Sequence, residues 1–248
     1  PPVLRCLGAA HYPRVVPRAP LILAFDTSTE TAVVVVGRGT RALALRHEPA
    51  PRAYDEGLLP RIAAALDEAR VRPEELDAIA CGCGPGSFTG LRIALATAKG
   101  YVFALDRPLV LVSSTAAMAA AVPGCRSAVA VLDAKRGQLF AQAFDVHRWR
   151  AGPTSAPREV ARTILDPAEL GPWLAARRLA RPVVLVGGAA PSDGLLAPER
   201  IRSLPVRFPP GSALLATARR AFLAGAFAAP DGAEPEYIRP PPFNRPAD

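Results

Sequence analysis

The stretch from Cys81 to Lys99, CGCGPGSFTGLRIALATAK, constrains the chain most, because three glycines and a proline stand where an apolar strand must give way to a helix. It reads as a strand over residues 77–84, a turn at Pro85-Gly86, and a helix capped by Ser87 that runs to about Leu105. A helix N-terminus entered through glycines is a ready anion site, since unpaired N–H groups and the helix dipole both favour negative charge. A plain strand-to-helix connection is the competing reading, and for a lone glycine-rich turn the commoner one. The segment has neither the Gly-Lys-Ser/Thr of a P-loop nor a GxGxxG fingerprint.

Around this turn the chain alternates. Leu21 to Thr27 reads as a short apolar strand ending in Asp26-Thr27-Ser28, and Ala32 to Gly37 and Arg41 to Arg46 follow it as a meander. A helix from about Leu58 to Arg70 turns Leu58, Leu59, Ile62, Leu66 and Ala69 to one face, with Pro60 in its first turn. Strand 77–84, helix 87–105, strand 109–112 and a helix over 115–122 continue in the βαβ manner that produces parallel strands. A second apolar strand then ends in an aspartate, Ser127 to Asp133, with Gln138 to Asp145 as its partner. Beyond it the chain is proline-rich, with helices over 167–178 and 212–228, a strand over 183–187 and an extended tail Glu236-Tyr237-Ile238-Arg239. The divisions are an extension over 1–20, a first lobe over 21–124 and a smaller second lobe over 125–248, whose helix 212–228 can pack back on the first.

Half of the 248 residues are apolar, enough to bury a large core. No membrane span is expected, because Asp26 and Glu30 break the run from Leu21 to Val36 and the run from Ile93 to Leu105 is short and carries Lys99. The first twenty residues, with three arginines, five prolines and no acid, are expected to lie outside the fold as a disordered extension or an upstream start. The net charge of +8 is plus three over 1–20, minus one over 21–124 and plus six over 125–248. No basic run is interleaved with aromatics as in a nucleic-acid groove, and with two lysines against 28 arginines the basicity has the look of a GC-rich genome. Of the four cysteines, Cys81 and Cys83 lie two apart on a strand, a spacing that suits neither a zinc knuckle nor CxxC chemistry, so reduced thiols in a cytoplasmic protein are expected. His11, His47 and His147 form no HxxxH or HExxH, so no metal site is expected.

A meander whose first strand ends in Asp-Thr, followed by alternating helices and strands and a partial repeat, resembles the two-lobed actin, sugar-kinase and Hsp70 (ASKHA) plan. The segments ILAFDTSTETAVVVV, LLPRIAAALDEA, GPGSFTGLRIALATAKGYVFAL, PLVLVSS, VLDAKRGQLFAQAF and PEYIRP, in this order over about residues 21–240, resemble the bacterial TsaB (YeaZ) family. The resemblance implies an α/β fold with a mixed sheet and flanking helices in each lobe. It also implies a non-catalytic subunit of the machinery that installs N6-threonylcarbamoyl on adenosine 37 of tRNAs reading codons that begin with A. In that family the transfer from the adenylate belongs to the paralogue TsaD, whose HHMEGH segment carries metal-holding histidines. The corresponding place here reads Ser113-Ser114-Thr115-Ala116-Ala117-Met118, and neither Ser114 nor Met118 suits a catalytic metal. The resemblance implies partnership with TsaD and with the ATPase TsaE, a homodimer when TsaD is absent, and contact with tRNA through the complex. It implies no tightly bound cofactor, with ATP or ADP confined to the interface of the assembled complex. Where many relatives have a histidine, this chain reads Arg52-Ala53-Tyr54-Asp55.

The family pairs its two first-lobe helices with those of TsaD, so Leu58, Leu59, Ile62, Leu66, Leu91, Ala94, Leu95, Ala98 and Val102 are the expected partner face. Gly90, Ala94 and Ala98, four apart, would let a second helix approach; burial within this chain is the rival reading. Asp26, Thr27, Gly84, Gly86, Ser87 and Asp133 could surround a vestigial nucleotide, although Asp26-Thr27-Ser28 equally well braces a turn, and that reading is preferred. Three other functions compete: a stand-alone kinase or ATPase with Asp26 or Asp133 on Mg²⁺, a metallopeptidase, which the scattered histidines disfavour, and an independent RNA-binding module.

Overall fold

The computed structural model describes residues 17–49, 57–147, 149, 156–191 and 201–239. Most of the extension, Cys6, His11 and the segment with Tyr54 lie outside the described residues.

Two five-stranded sheets form, and they repeat one topology. Strands β1 (Leu21–Asp26), β2 (Thr31–Arg38), β3 (Arg41–Pro49), β4 (Ala78–Gly84) and β5 (Leu109–Ser113) lie in the order β3-β2-β1-β4-β5. β1–β2 and β2–β3 pair antiparallel, whereas β1–β4 and β4–β5 pair parallel. Helix α1 (Leu58–Ala69) makes the crossover into β4, α2 (Phe88–Leu105) the crossover into β5, and α3 (Ser114–Ala120) follows β5. The second sheet takes β6 (Ser127–Lys135), β7 (Gln138–Asp145), β8 (Arg158–Leu165), β9 (Val183–Val186) and β10 (Ile201–Ser203) in the corresponding order with the corresponding directions. Helix α4 (Leu170–Ala176) precedes β9, and α5 (Gly211–Leu223) follows β10. A meander of three strands continued by parallel strands, built twice, is the two-lobed ASKHA plan.

The central strands are apolar without alternation because both faces of each sheet are covered. On β1, Leu21, Leu23 and Phe25 enter the core under α1 and α2, while Ile22 and Ala24 enter a core closed by Leu214, Leu215, Ala218 and Phe222 of α5. On β6, Ala128, Ala130 and Leu132 meet Ala116, Met118 and Ala119 of α3, while Val129 and Val131 meet Leu170 and Leu174 of α4. The helix that follows each fifth strand therefore crosses over: α3 lines the second sheet and α5 lines the first.

Several elements differ from the sequence reading. The last helix stops at Leu223 rather than near 228, because Gly225 takes a left-handed φ of 68° and the chain then runs extended, the Ala228 amide donating to the Leu109 carbonyl oxygen at 2.9 Å. The helix expected over 167–178 is a 3-10 turn at Pro167–Glu169 followed by α4. Strands β8 and β10 had no counterpart in the sequence reading. Because α5 supplies a core face to the other lobe, Phe222→Ala is expected to destabilise the chain by about 3–5 kcal/mol in urea unfolding. A loss below about 1 kcal/mol would show that α5 is a dispensable cover.

Candidate functional site

The glycine turn is built against the end of β1. Asp26 is buried, and its Oδ1 accepts from the Ser28 amide at 2.8 Å and the Ser28 hydroxyl at 2.6 Å, a local turn that closes within three residues. Its Oδ2 accepts from the Ser114 hydroxyl at 2.5 Å, and the Ser114 oxygen in turn accepts from the Gly84 amide at 3.1 Å. Thr27 is buried and donates its hydroxyl to the Gly90 carbonyl oxygen at 2.6 Å, while the Ser87 amide donates to the Ser28 carbonyl oxygen at 2.7 Å. Ser87 caps α2 by accepting from the Gly90 amide at 3.3 Å. A Cβ on Gly86 would run into the Ser28 carbonyl, and one on Gly90 into the Thr27 carbonyl. These two glycines let one turn lie directly on the other.

The amides of Gly84, Ser87, Gly90 and Leu91 all donate within the chain, Leu91 to the Ser87 carbonyl oxygen at 2.9 Å. Glu236 crosses the turn, its amide donating to the Cys83 carbonyl oxygen at 2.7 Å. These four amides are therefore engaged inside the chain, as in a braced turn. Asp133, the matching strand-end acid of the second lobe, is brought to none of these groups. It is exposed and accepts from the Lys135 amide at 2.7 Å and the Lys135 ammonium at 2.9 Å, which holds its carboxyl below the usual range. Among the described residues no three His, Cys, Asp or Glu side chains stand together as metal ligands.

Burial drives the electrostatics. It raises the Asp26 carboxyl above the ordinary carboxylate range against the opposing hydrogen bonds from Ser114 and Ser28. It also raises the Cys81 thiol, with the Asp26 charge adding to it, and pushes Cys83 up to about 12. Cys81 and Cys83 are free thiols, and Cys81 and Cys125 are buried.

The expected partner face is corrected by the structure. Leu58, Ile62 and Leu66 of α1 and Leu91, Ala94, Leu95, Ala98 and Val102 of α2 are buried, all but Leu91 in one core cluster with the outer face of the first sheet. The small side chains of Ala94 and Ala98 bring α2 close to its own sheet rather than to a second helix. Of the nine residues only Leu59 is outward, 57% exposed. The opposite side of α2 exposes Ala96, Gly100, Phe103 and Ala104, with Phe103 at 76%, and the neighbouring α1 exposes Ala63 beside Leu59. The sequence signal for this face was available: Ala96, Gly100 and Phe103-Ala104 recur at helical spacing on the side that the buried stripe leaves free.

Because the folded pKa of Asp26 lies above the unfolded one, its contribution to stability is present in acid and lost as pH rises from about 4 through the raised folded value. Asp26→Asn, neutral throughout, is expected to flatten that decline in urea midpoints taken across this range. Parallel curves for the two proteins would show that Asp26 does not govern it. At the turn, Gly90→Ala is expected to lower stability by roughly 1–3 kcal/mol because the Thr27 carbonyl must move; an unchanged unfolding midpoint would show the contact to be slack.

The chain matches known proteins over both lobes. Residues 48–168 match the family model "TsaD: tRNA N6-adenosine threonylcarbamoyltransferase". The Haemophilus influenzae tRNA threonylcarbamoyladenosine biosynthesis protein TsaB is 35% identical over 123 residues, 48% of this chain and 51% of that protein. The chain thus spans about half the length of this and several other curated relatives that it matches. The Escherichia coli protein of the same name is 28% identical over 227 residues, 88% of this chain and 94% of that one. A Pseudomonas aeruginosa crystal structure, described as an uncharacterized protein with similarity to peptidase YeaZ, superposes with a TM-score of 0.73 at 31% identity, covering 89% of this chain and all of that one. With 31% identity sustained along a whole solved relative, and the glycine turn, the Asp26 strand end and the doubled sheet all in place, the chain belongs to the TsaB (YeaZ) family.

Proposed function

We propose that this chain is the non-catalytic partner subunit in synthesis of N6-threonylcarbamoyladenosine in tRNA, binding and supporting TsaD, with TsaE as the ATPase of the complex. The observation that carries the proposal is the outward face of α1 and α2, where Leu59 and Phe103 stand exposed on helices whose other sides are buried. An exposed phenylalanine flanked by Ala96, Gly100 and Ala104 offers a helix of a partner both an apolar anchor and a close approach. The names of the relatives place TsaB proteins in this biosynthesis, and the TsaD family match fits a paralogous partner.

The interior of the chain supports the non-catalytic part. At the place that corresponds to the TsaD histidines, Ser114 donates to Asp26 and Met118 fills the core beneath the second sheet. Transfer of threonylcarbamoyl from its adenylate then belongs to TsaD, and tRNA is reached through the complex. ATP or ADP in the assembled complex binds at the interface with the partner. Without TsaD, the same face closes on itself in an isologous homodimer.

The test is co-purification with TsaD from the same genome, sized by light scattering, with a threonylcarbamoyl-transfer assay on unmodified tRNA. Phe103→Asp and Leu59→Glu are expected to leave the thermal unfolding unchanged, because both side chains are exposed, and to abolish the complex and the transfer that depends on it. Leu95→Glu is expected instead to unfold the chain, because it places a carboxylate in the core. A full-strength complex with Phe103→Asp would sink the assignment of this face, and ATP turnover by the chain alone would favour a kinase of the same fold.

A further inference from the structure

The segment Glu236–Arg239 touches both lobes through separate sets of contacts. On the first lobe, beside the Glu236 amide bond to Cys83, the Tyr237 ring lies 4.9 Å from the Phe88 ring, and Arg92 Nε donates to the Tyr237 hydroxyl at 3.1 Å. The same Arg92 guanidinium covers Phe88 at 3.9 Å. On the second lobe, the Glu236 carboxylate accepts from Arg162, and Arg162 Nε donates to Glu159 at 2.7 Å. Arg239 donates from Nε to the Ala134 carbonyl oxygen at 3.2 Å and from Nη2 to Gln138 Oε1 at 2.5 Å. The charged cluster continues inward, where Gln142 Nε2 donates to Glu159 at 2.7 Å and Gln142 Oε1 accepts from the Thr115 hydroxyl of α3 at 2.6 Å. Gly84 makes room for the segment, with a φ of 102° and no Cβ to press on the Glu236 carbonyl.

We infer that Glu236–Arg239 is a strap that couples the two lobes and roofs the glycine turn, so that its release and the loosening of that turn are one event. Each anchor is partly exposed and worth little alone. Four consecutive residues join them, however, so anchoring at one lobe raises the effective concentration of the segment at the other. Loss of the second-lobe anchors is therefore transmitted to a turn that they do not touch, and loss of the first-lobe anchors is transmitted the other way with the same coupling.

Native-state hydrogen exchange on the full chain reads this directly. Arg162→Ala with Arg239→Ala is expected to speed exchange of the Ser87, Gly90 and Leu91 amides by about tenfold or more. Arg92→Ala with Tyr237→Ala is expected to speed exchange of the Lys135 and Gln138 amides in the second lobe. Changes confined to residues 236–239 would overturn the strap and leave a tail docked on two independent surfaces. An increase spread evenly over both sheets would also count against it, and Arg239→Ala alone, which removes only the contacts to Ala134 and Gln138, repeats the comparison without that global loss.

Discussion

The fold rests on an exchange of helices between its lobes. Each sheet has an outer helix layer from its own lobe, α1 and α2 on the first and α4 on the second. The inner faces are closed differently, because α5 leaves the second lobe to cover Ile22, Ala24, Val33 and Val35, and α3 leaves the first to cover Ala128, Ala130 and Val184. Burial of large apolar strand faces is the dominant favourable term in folding. The relative placement of the lobes is thus fixed by the force that forms each of them. Everything at the junction, including Ser114 reaching Asp26 and Thr115 reaching Gln142, follows from where α3 must lie.

That placement decides what the glycine turn does. In isolation, glycines before a helix N-terminus suggest bound phosphate. Here the turn is packed from two sides, by the Thr27-Ser28 turn of β1 and by Glu236. Glycine is required at 86 and 90 by the approach of carbonyl groups, and the amides nearby are satisfied by serine oxygens and backbone carbonyls. The same residues would serve as an anion cradle or as a joint between two turns. The second role follows from the packing, which local sequence does not contain.

The sequence made the first lobe legible because its signals were local and mutually consistent. Ser87 announced the cap of α2, Asp26-Thr27-Ser28 the end of β1, and the uninterrupted apolar runs of β1 and β6 announced strands. Strand β8 escaped because Arg158, Glu159 and Arg162 make it an edge strand with one wet face, and β10 because three residues carry no periodicity. The orientation of α2 escaped for another reason. A helical stripe of Leu91, Ala94, Leu95 and Ala98 says that a face is buried without saying what buries it. Here the sheet claims the larger stripe, and the residues available to a partner are the few apolar ones outside it. Strap contacts such as Arg162 to Glu236 span 74 positions and have no sequence signature at all.

The exchanged helices make the two halves of the chain interdependent in a way that their matching topology conceals. A break in the connection after α3 would leave a first piece carrying a helix with no sheet to cover, and a second whose last helix has lost its platform. Such pieces would not behave as two small domains. They would fold only on meeting, so their stability would rise with concentration as that of an obligate heterodimer does. A chain that looks like a duplication of one module is, energetically, a single unit whose parts are completed by each other.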